Sequence, residues 1–309
     1  MTGTNSSEVK EFYTSLTDRF SAWVTSRPDI RAAIVVGSRA RVDHPADEWA
    51  DLDIVMVTTD PEYYVSNSDW IKNFGRPLLT FIEPTSMGDE RERRVLYEKM
   101  LDVDFAIFPL ERVRSLLGSA TESKGTSPNQ AILVQVSNML GRGVRILVDK
   151  DGIMSKISGL ASAVKNPPPS IPMQDEFLGV VNSFLYHVVY TAKHLRRGEL
   201  WWTVTCLDCY LQHLLLRMIE WHALVSHDLK HDTWFRGRFL EEWAHPRTIE
   251  GLQEAFAHYD KVDVKRALLA ATDLFRFLAT ETAAELNFSF PTEVDKNVTE
   301  WIRTCLSGL

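Results

Sequence analysis

Three carboxylates carry the chemistry this sequence can do. Asp51 and Asp53 lie one residue apart in Asp51-Leu52-Asp53-Ile54, and Asp104 stands within the apolar run Val103 to Phe108. In an extended strand residues i and i+2 point to the same side, so Asp51 and Asp53 set two acids side by side. Two ionised carboxylates that close repel one another when water is withdrawn, and something must offset the repulsion. Hard, oxygen-seeking cations such as Mg²⁺ do so, taking a few carboxylates together with substrate phosphate oxygens. A third carboxylate from a neighbouring strand would complete a site for two metal ions. Such a pair activates an attacking oxygen and neutralises a leaving one in an in-line displacement at phosphorus.

The other half of the chemistry is Gly37-Ser38, which follows the β-branched run Ala32 to Val36. A glycine between a strand and a helix start lets the backbone approach a phosphate closely, and the exposed N–H groups and a hydroxyl bind its oxygens. Arg39 and Arg41 then lie near a triphosphate. Alone, a Gly-Ser pair reads as a turn and an Asp-x-Asp as a solvated strand end. Together they are restrictive: strand, Gly-Ser, 14 residues from Gly37 to Asp51, a second strand opening on Asp-x-Asp, and an aspartate in a third.

Elements able to position these groups alternate through the first half. Ser7 to Ser26 repeats apolar residues at helical spacing, closed by Arg27-Pro28-Asp29. Strands are expected at 32–36, 51–57, 77–82 and 103–108, with 90–101 as helix or irregular connection. On the second strand Asp51, Asp53, Val55 and Val57 share a face; on the last, Asp104 shares one with Ala106 and Phe108. Lys165 to Pro172, reading Lys-Asn-Pro-Pro-Pro-Ser-Ile-Pro, can hold neither helix nor central strand. Beyond it helices are expected at 175–197, 199–225, 248–259, 263–286 and 292–306. The chain thus reads as an α+β domain with a mixed sheet over 1–164, a Pro-rich linker over 165–174, and an α-helical bundle over 175–309.

Composition narrows the partners. A chain of 309 residues with 45% hydrophobic and 25% charged residues suits two globular domains. The net charge of -8 argues against a protein that neutralises nucleic-acid phosphates and favours a cationic or neutral partner. No signal peptide is visible, and the longest apolar run, Leu200 to Val225, contains Asp208, Arg217 and Glu220, so no membrane span and a cytoplasmic location are expected. Cys206, Cys209 and Cys305 form no disulfide framework, and Cys206-x-x-Cys209 with His213 lacks the second pair zinc needs; they read as buried packing residues. His187 reads as a core histidine, and His222, His227 and His231 as structural.

The motifs resemble those of the DNA polymerase β-type nucleotidyltransferases, whose pattern is Gly-Ser, Asp-x-Asp and a third strand carboxylate. More narrowly, the chain is similar to the aminoglycoside 6-adenylyltransferase (streptomycin adenylyltransferase) family. The matching stretches are Val35-Val36-Gly37-Ser38-Arg39, Asp51-Leu52-Asp53-Ile54 and Val103-Asp104-Phe105-Ala106-Ile107-Phe108-Pro109-Leu110. In the helical half they are Glu176-Phe177, Ala192-Lys193-His194-Leu195-Arg196-Arg197-Gly198-Glu199-Leu200, and Leu286-Asn287-Phe288-Ser289-Phe290-Pro291.

The resemblance implies a polymerase β-like nucleotidyltransferase domain followed by a helical domain that contributes to nucleotide and acceptor binding. It implies transfer of AMP from ATP to a hydroxyl of an aminoglycoside such as streptomycin, with two Mg²⁺ ions, pyrophosphate release and inactivation of the antibiotic. Gly37, Ser38 and Arg39 would hold the triphosphate, Asp51 and Asp53 would ligate Mg²⁺, and Asp104 would be metal ligand, general base or both. Lys193 would reach the phosphates from the second domain. A polycationic acceptor needs carboxylates and rings; Glu83, Asp102, Glu199, Trp202 and Asp208 are the candidates, followed by Glu98, Glu220, Trp201 and Trp221. Against these, Trp201, Trp202 and Trp221 on an apolar helix also read as core, and Lys193 as a lysine favoured by a helix C-terminus. A monomer or small homo-oligomer is expected. The alternatives are a nucleotidyltransferase for another small molecule or a protein side chain, or a non-catalytic nucleotide- or drug-binding relative.

Overall fold

Alternating apolar residues build the sheet that carries the aspartates. In the computed structural model, which describes residues 6–85, 90–121, 136–138, 140–163, 171–227 and 232–309, the chain divides into two units, Met1–Asn166 and Pro167–Leu309. Most of the expected linker, residues 165–170 of 165–174, lies outside the described residues.

The first unit holds a six-stranded sheet of β1 (Ile30–Val36), β2 (Leu52–Thr58), β3 (Pro77–Pro84), β4 (Arg91–Tyr97), β5 (Leu101–Pro109) and β6 (Arg145–Asp149). Their order is β3-β4-β5-β2-β1-β6. Only β2 and β5 pair in parallel; the other pairs are antiparallel, so the sheet is mixed. One face is covered by α1 (Ser6–Ser26), α2 (Pro61–Ser66) and the 3₁₀ segment Asp69–Asn73, whose Leu16, Phe20, Trp70 and Tyr64 pack on Leu52, Ile54, Val103 and Phe105. Among the described residues, the other is covered only in part. There Val57, Phe108, Ile34 and Val36 pack with α3 (Leu110–Thr121) and α4 (Ile153–Ala163). That cover lies at the late ends of β2 and β5. Asp53 and Asp104 stand at their beginnings.

Two strands depart from the sequence expectation. β4 occupies 91–97, where a helix or irregular connection is expected, and β6 is not among the expected strands. The alternation in Arg91-Glu92-Arg93-Arg94-Val95-Leu96-Tyr97 is masked because an arginine takes an inward position beside Val95 and Tyr97. Arg93 is 5% exposed and donates to the carbonyls of Tyr64 (3.2 Å) and Val65 and to the Thr80 hydroxyl (3.1 Å). A charge at a core position is rare enough to hide a strand.

The second unit is helical: α5 (Gln174–Arg196), α6 (Leu200–Thr205), α7 (Gln212–Ser226), α8 (Leu240–Trp243), α9 (Pro246–Ala255), α10 (Lys261–Leu286) and α11 (Thr292–Cys305). A single helix expected over 199–225 is instead interrupted by a π-helical segment, Cys206–Leu211. Extra residues in such a segment rotate the helix beyond it. Phe177, Phe184, Leu215, Met218, Leu268 and Phe275 lie in the core of this unit.

Candidate active site

Asp53 on β2 is directly opposite Asp104 on the parallel neighbour β5. Asp51, one residue before β2 begins, is on the same side. Carboxylate oxygens of all three lie within 4.8 Å of one another. Asp104 is buried, 5% exposed, while Asp51 and Asp53 are half-buried. Burial, joined by the nearby charges of Asp53 and Asp51, pushes the Asp104 carboxyl up to about 8 despite the opposing pull of Arg94. Three converging carboxylates of hard oxygen character fit divalent cations such as Mg²⁺.

Gly37 sits where β1 ends, next to Asp53, which pairs with Val36. Its φ of +67° suits glycine, and a Cβ there would stand 2.1 Å from Asp53 Oδ2. The glycine is therefore required by the carboxylate as well as by any phosphate. The segment it opens is not an α-helix but a three-residue 3₁₀ turn, Gly37–Arg39, closed by the N–H groups of Ala40 and Arg41 on the Gly37 carbonyl (both 3.1 Å). A helix dipole is thus not available, and anion binding at this turn falls to local N–H groups and the Ser38 hydroxyl. Ser38 Oγ is buried and has no hydrogen-bond partner among the described residues. Gly143, at φ +137°, lets the chain before β6 press on this turn, since a Cβ there would meet the Ala40 carbonyl at 2.4 Å and Arg41 Cα at 2.7 Å.

Arg39 turns away from the carboxylates' side chains to their backbone. Its Nε donates to the Asp51 carbonyl (2.8 Å) and Nη2 to that of Ala50 (2.6 Å), while the guanidinium lies 3.6 Å over the Tyr13 ring. It thereby fixes the approach to β2. Arg41 donates to the His44 carbonyl at 2.7 Å. An open pocket of about 380 Å³ beside Ser38 is lined by the cations Lys10, Arg39, Arg41 and Arg145 and by the acids Asp47 and Glu48, a mixed wall in which cations outnumber acids.

Across β5, the unexpected strand β4 supplies Arg94 in register with Asp104. Arg94 forms ion pairs with Asp104, with Glu83 of β3 (2.6 Å) and with Glu92 (2.8 Å). Burial opposes its charge, but these three acids hold Arg94 above the usual guanidinium value. Burial raises Glu92, helped by Glu83 and opposed by Arg94. Sequence reasoning named Glu83 and missed Arg94 and Glu92; recognising β4 would have found both. Asp102, exposed on β5, is on the same face as Asp104, and the Tyr13 hydroxyl donates to its carbonyl (3.2 Å). Glu98 is exposed and paired with Arg76 at 3.0 Å.

The remaining candidates belong to the second unit. Lys193, exposed near the end of α5, places Nζ 5.6 Å over the Trp301 ring. Glu199, just before α6, is paired with His194 and with Arg197 (2.6 Å), and the His194 bond chiefly holds its carboxyl low. Asp208 lies in the π-helical segment and accepts the Ala257 N–H at 3.3 Å; burial raises its pKa. Trp221 is core, 5% exposed, but Trp201 and Trp202 are exposed, at 74% and 49%, which corrects the core reading of those two. Glu220 is raised by burial. Cys206 is buried but Cys209 is exposed, so only the former packs as expected. His187 is half-buried with Nδ1 at 2.8 Å from the Ser183 carbonyl, and His222 has the carboxylate partner the sequence did not reveal, Glu281 at 2.8 Å. His231 lies outside the described residues.

The model of the streptomycin adenylyltransferase family matches residues 12–305, which takes in the turn, the three aspartates and the helical unit. The chain belongs to the streptomycin adenylyltransferase family. It is an adenylyltransferase. Relatives of this family member include aminoglycoside 6-adenylyltransferase of Bacillus subtilis (strain 168), 21% identical over 293 residues covering 92% of this chain and 94% of that protein. The protein of the same name from Campylobacter jejuni is 22% identical over 274 residues, covering 85% of each. A crystal structure of an aminoglycoside 6-adenyltransferase from Bacillus subtilis aligns over 95% of this chain and 98% of that one, with 18% identity and a TM-score of 0.43. Among the described residues, no helix is long and apolar enough to cross a membrane.

Proposed function

We propose that this adenylyltransferase moves AMP from ATP to a hydroxyl of an aminoglycoside, streptomycin in particular, releasing pyrophosphate and leaving the antibiotic modified. The observation that carries the reading is the convergence of Asp51, Asp53 and Asp104 beside the Gly37 turn. The names of the relatives support an aminoglycoside acceptor.

In this reading Asp51, Asp53 and Asp104 hold two Mg²⁺ ions. When bound, these supply charge neutralisation at phosphate and a lowered pKa for a coordinated hydroxyl. Asp104, as metal ligand, general base or both, is placed beside Asp53 to accept the acceptor hydroxyl's proton on a carboxylate oxygen. Ser38 offers the phosphates a buried hydroxyl without a partner among the described residues, and Lys10, Arg41 and Arg145, which outnumber Asp47 and Glu48 in the neighbouring pocket, help balance the leaving charge. Arg39 keeps Asp51 in place through two backbone carbonyls. Lys193 of the helical unit adds a further cation toward the phosphates. The acceptor's ammonium or guanidinium groups are met by acids among Glu83, Asp102, Glu199 and Asp208, with Trp202 as a stacking face.

Incubation with ATP, Mg²⁺ and a panel of aminoglycosides, followed by mass spectrometry, tests the reading. Streptomycin is expected to gain one adenylyl mass, and Asp104→Asn to lower the rate about 10²- to 10⁴-fold in folded protein, the range of a general base. Pyrophosphate release with no modified aminoglycoside would redirect the acceptor to another small molecule or a protein side chain. Near-normal turnover in Asp104→Asn would remove Asp104 from the chemistry.

A further inference from the structure

Arg94 divides its nitrogens among three carboxylates. Nη1 meets Asp104, Nε meets Glu83 Oε1 at 2.6 Å, and Nη2 meets Glu92 Oε1 at 2.8 Å. Of the four side chains Asp104 is the most buried, at 7% exposure, and Glu92 follows at 15%, whereas Arg94 and Glu83 are open at 38% and 39%. Strand register fixes the arrangement: Arg94 is opposite Asp104 across β4 and β5, and Glu83 is opposite Glu92 across β3 and β4. A guanidinium bound to one acid alone would lose its carboxylate partner whenever that acid took another cation. This one has two further carboxylates that contact separate nitrogens, so it can give up Asp104 and stay paired.

We propose that Arg94 is the chain's own counter-cation for Asp104 before metal binds, and that Glu83 and Glu92 are the acids that retain Arg94 when a divalent cation takes Asp104 over. The inference rests on the proposed metal-dependent reading of the site. Arg94 is a positioning residue in this scheme: it keeps the buried Asp104 aimed into the centre, and it competes with metal for it. Glu83 and Glu92 weaken that competition.

Mn²⁺ binding to the nucleotide-free, full-length protein, followed by electron paramagnetic resonance of the free ion, tests this directly. Arg94→Gln is expected to tighten Mn²⁺ binding about tenfold, the effect of deleting a unit positive charge a few ångströms away in a half-solvated cleft. The double variant Glu83→Gln/Glu92→Gln, which leaves Arg94 no resting place but Asp104, is expected to weaken it by a similar factor. The triple variant decides between release of Arg94 and a general loss of negative field. If the two glutamates act through Arg94, their removal has little effect once Arg94 is gone; if they act only through their field, the losses add. Thermal unfolding of each variant establishes that it is folded, and Arg94→Lys, which keeps the charge, should bind Mn²⁺ more like wild type than Arg94→Gln does. Unchanged or weaker binding in folded Arg94→Gln, or additive losses in the triple variant, would overturn the proposal while wild-type binding upholds the metal site. Absence of Mn²⁺ binding to wild-type protein would instead overturn the metal-dependent reading itself.

Discussion

The face of the sheet that carries Asp104 has two halves with opposite electrostatic character. Toward β2, acids crowd together: Asp51 and Asp53 bring carboxylate oxygens to within 4.8 Å of those of Asp104, and their charge adds to burial in raising its pKa. Toward β4 and β3, acids are separated by a cation, Arg94, which holds Glu83, Glu92 and Asp104 at once. Like charges gathered this closely are costly to folding, and a chain that keeps them has a use for them in binding. Opposite charges shared in a network are stable without a ligand. Under the proposed metal-dependent reading the first half is where a ligand cation would enter, and the second supports the acid both halves share.

The largest expected effect on this contrast comes from the smallest change. Gly37→Ala would put a Cβ 2.1 Å from Asp53 Oδ2 at a backbone φ of +67°. Asp53 must swing away, and misplacement of a catalytic group by about 1 Å costs about 10²-fold in rate. Pyrophosphate release should fall at least that far while circular dichroism stays native. Activity close to wild type would mean that Asp53 has room to move without consequence, and that the crowded half is not a tightly built centre.

Next in size is a change on β4 that leaves the face alone. Arg93 and Arg94 are neighbours in sequence but point to opposite sides of the sheet, and their partners differ in kind: neutral carbonyls and a hydroxyl for Arg93, carboxylates for Arg94. Arg93→Met strands the carbonyls of Tyr64 and Val65, a loss of about 2–3 kcal/mol. That corresponds to a midpoint lowered by roughly 4–12 °C for a unit of this size. Mn²⁺ affinity and the turnover of folded protein should change little. If Arg93→Met also altered Mn²⁺ affinity, the two sides of β4 would be coupled, and the division of labour between the arginines would fail.

The same comparison explains what could be read in the sequence. β2 and β5 were legible because Leu52, Ile54, Val103 and Phe105 fill the inward positions and leave the aspartates as the exceptions outward. β4 was illegible because Arg93 takes an inward position, so the residues flanking Arg94 gave no alternation to count. The glycine at 37 was legible as a turn, but its contact with Asp53 depends on the β1–β2 register, which no local pattern encodes. Gly37–Arg39 was expected to open a helix and opens only a 3₁₀ turn, since Arg39 is drawn back to the carbonyls before β2. In the second unit the apolar period identified the long helices but neither the short helix Leu240–Trp243 nor the π-helical segment at Cys206–Leu211, and Trp201 and Trp202, which also read as core, are exposed.

The smallest expected effect concerns stability, and it bears on whether the crowded half is costly. The Asp104 carboxyl is pushed up to about 8 by burial first and by Asp53 and Asp51 second, with Arg94 pulling the other way. In the unfolded chain an aspartate titrates near pH ~3.9. Between these values the folded chain keeps a proton that the unfolded chain has lost, so folding weakens steadily as pH rises through this window, and the full cost is present above about pH 8. An asparagine in place of Asp104 would carry no such cost and could still accept from Arg94. Metal-free Asp104→Asn should therefore melt above wild type near pH ~8.5, with the gap closing toward about pH 4. Saturating Mg²⁺ should narrow or reverse the difference, because only the carboxylate gains from the cation. A variant that melts below wild type at every pH would show that Arg94 already repays the burial of Asp104, and that the half of the face facing β2 is no less settled than the half facing β4.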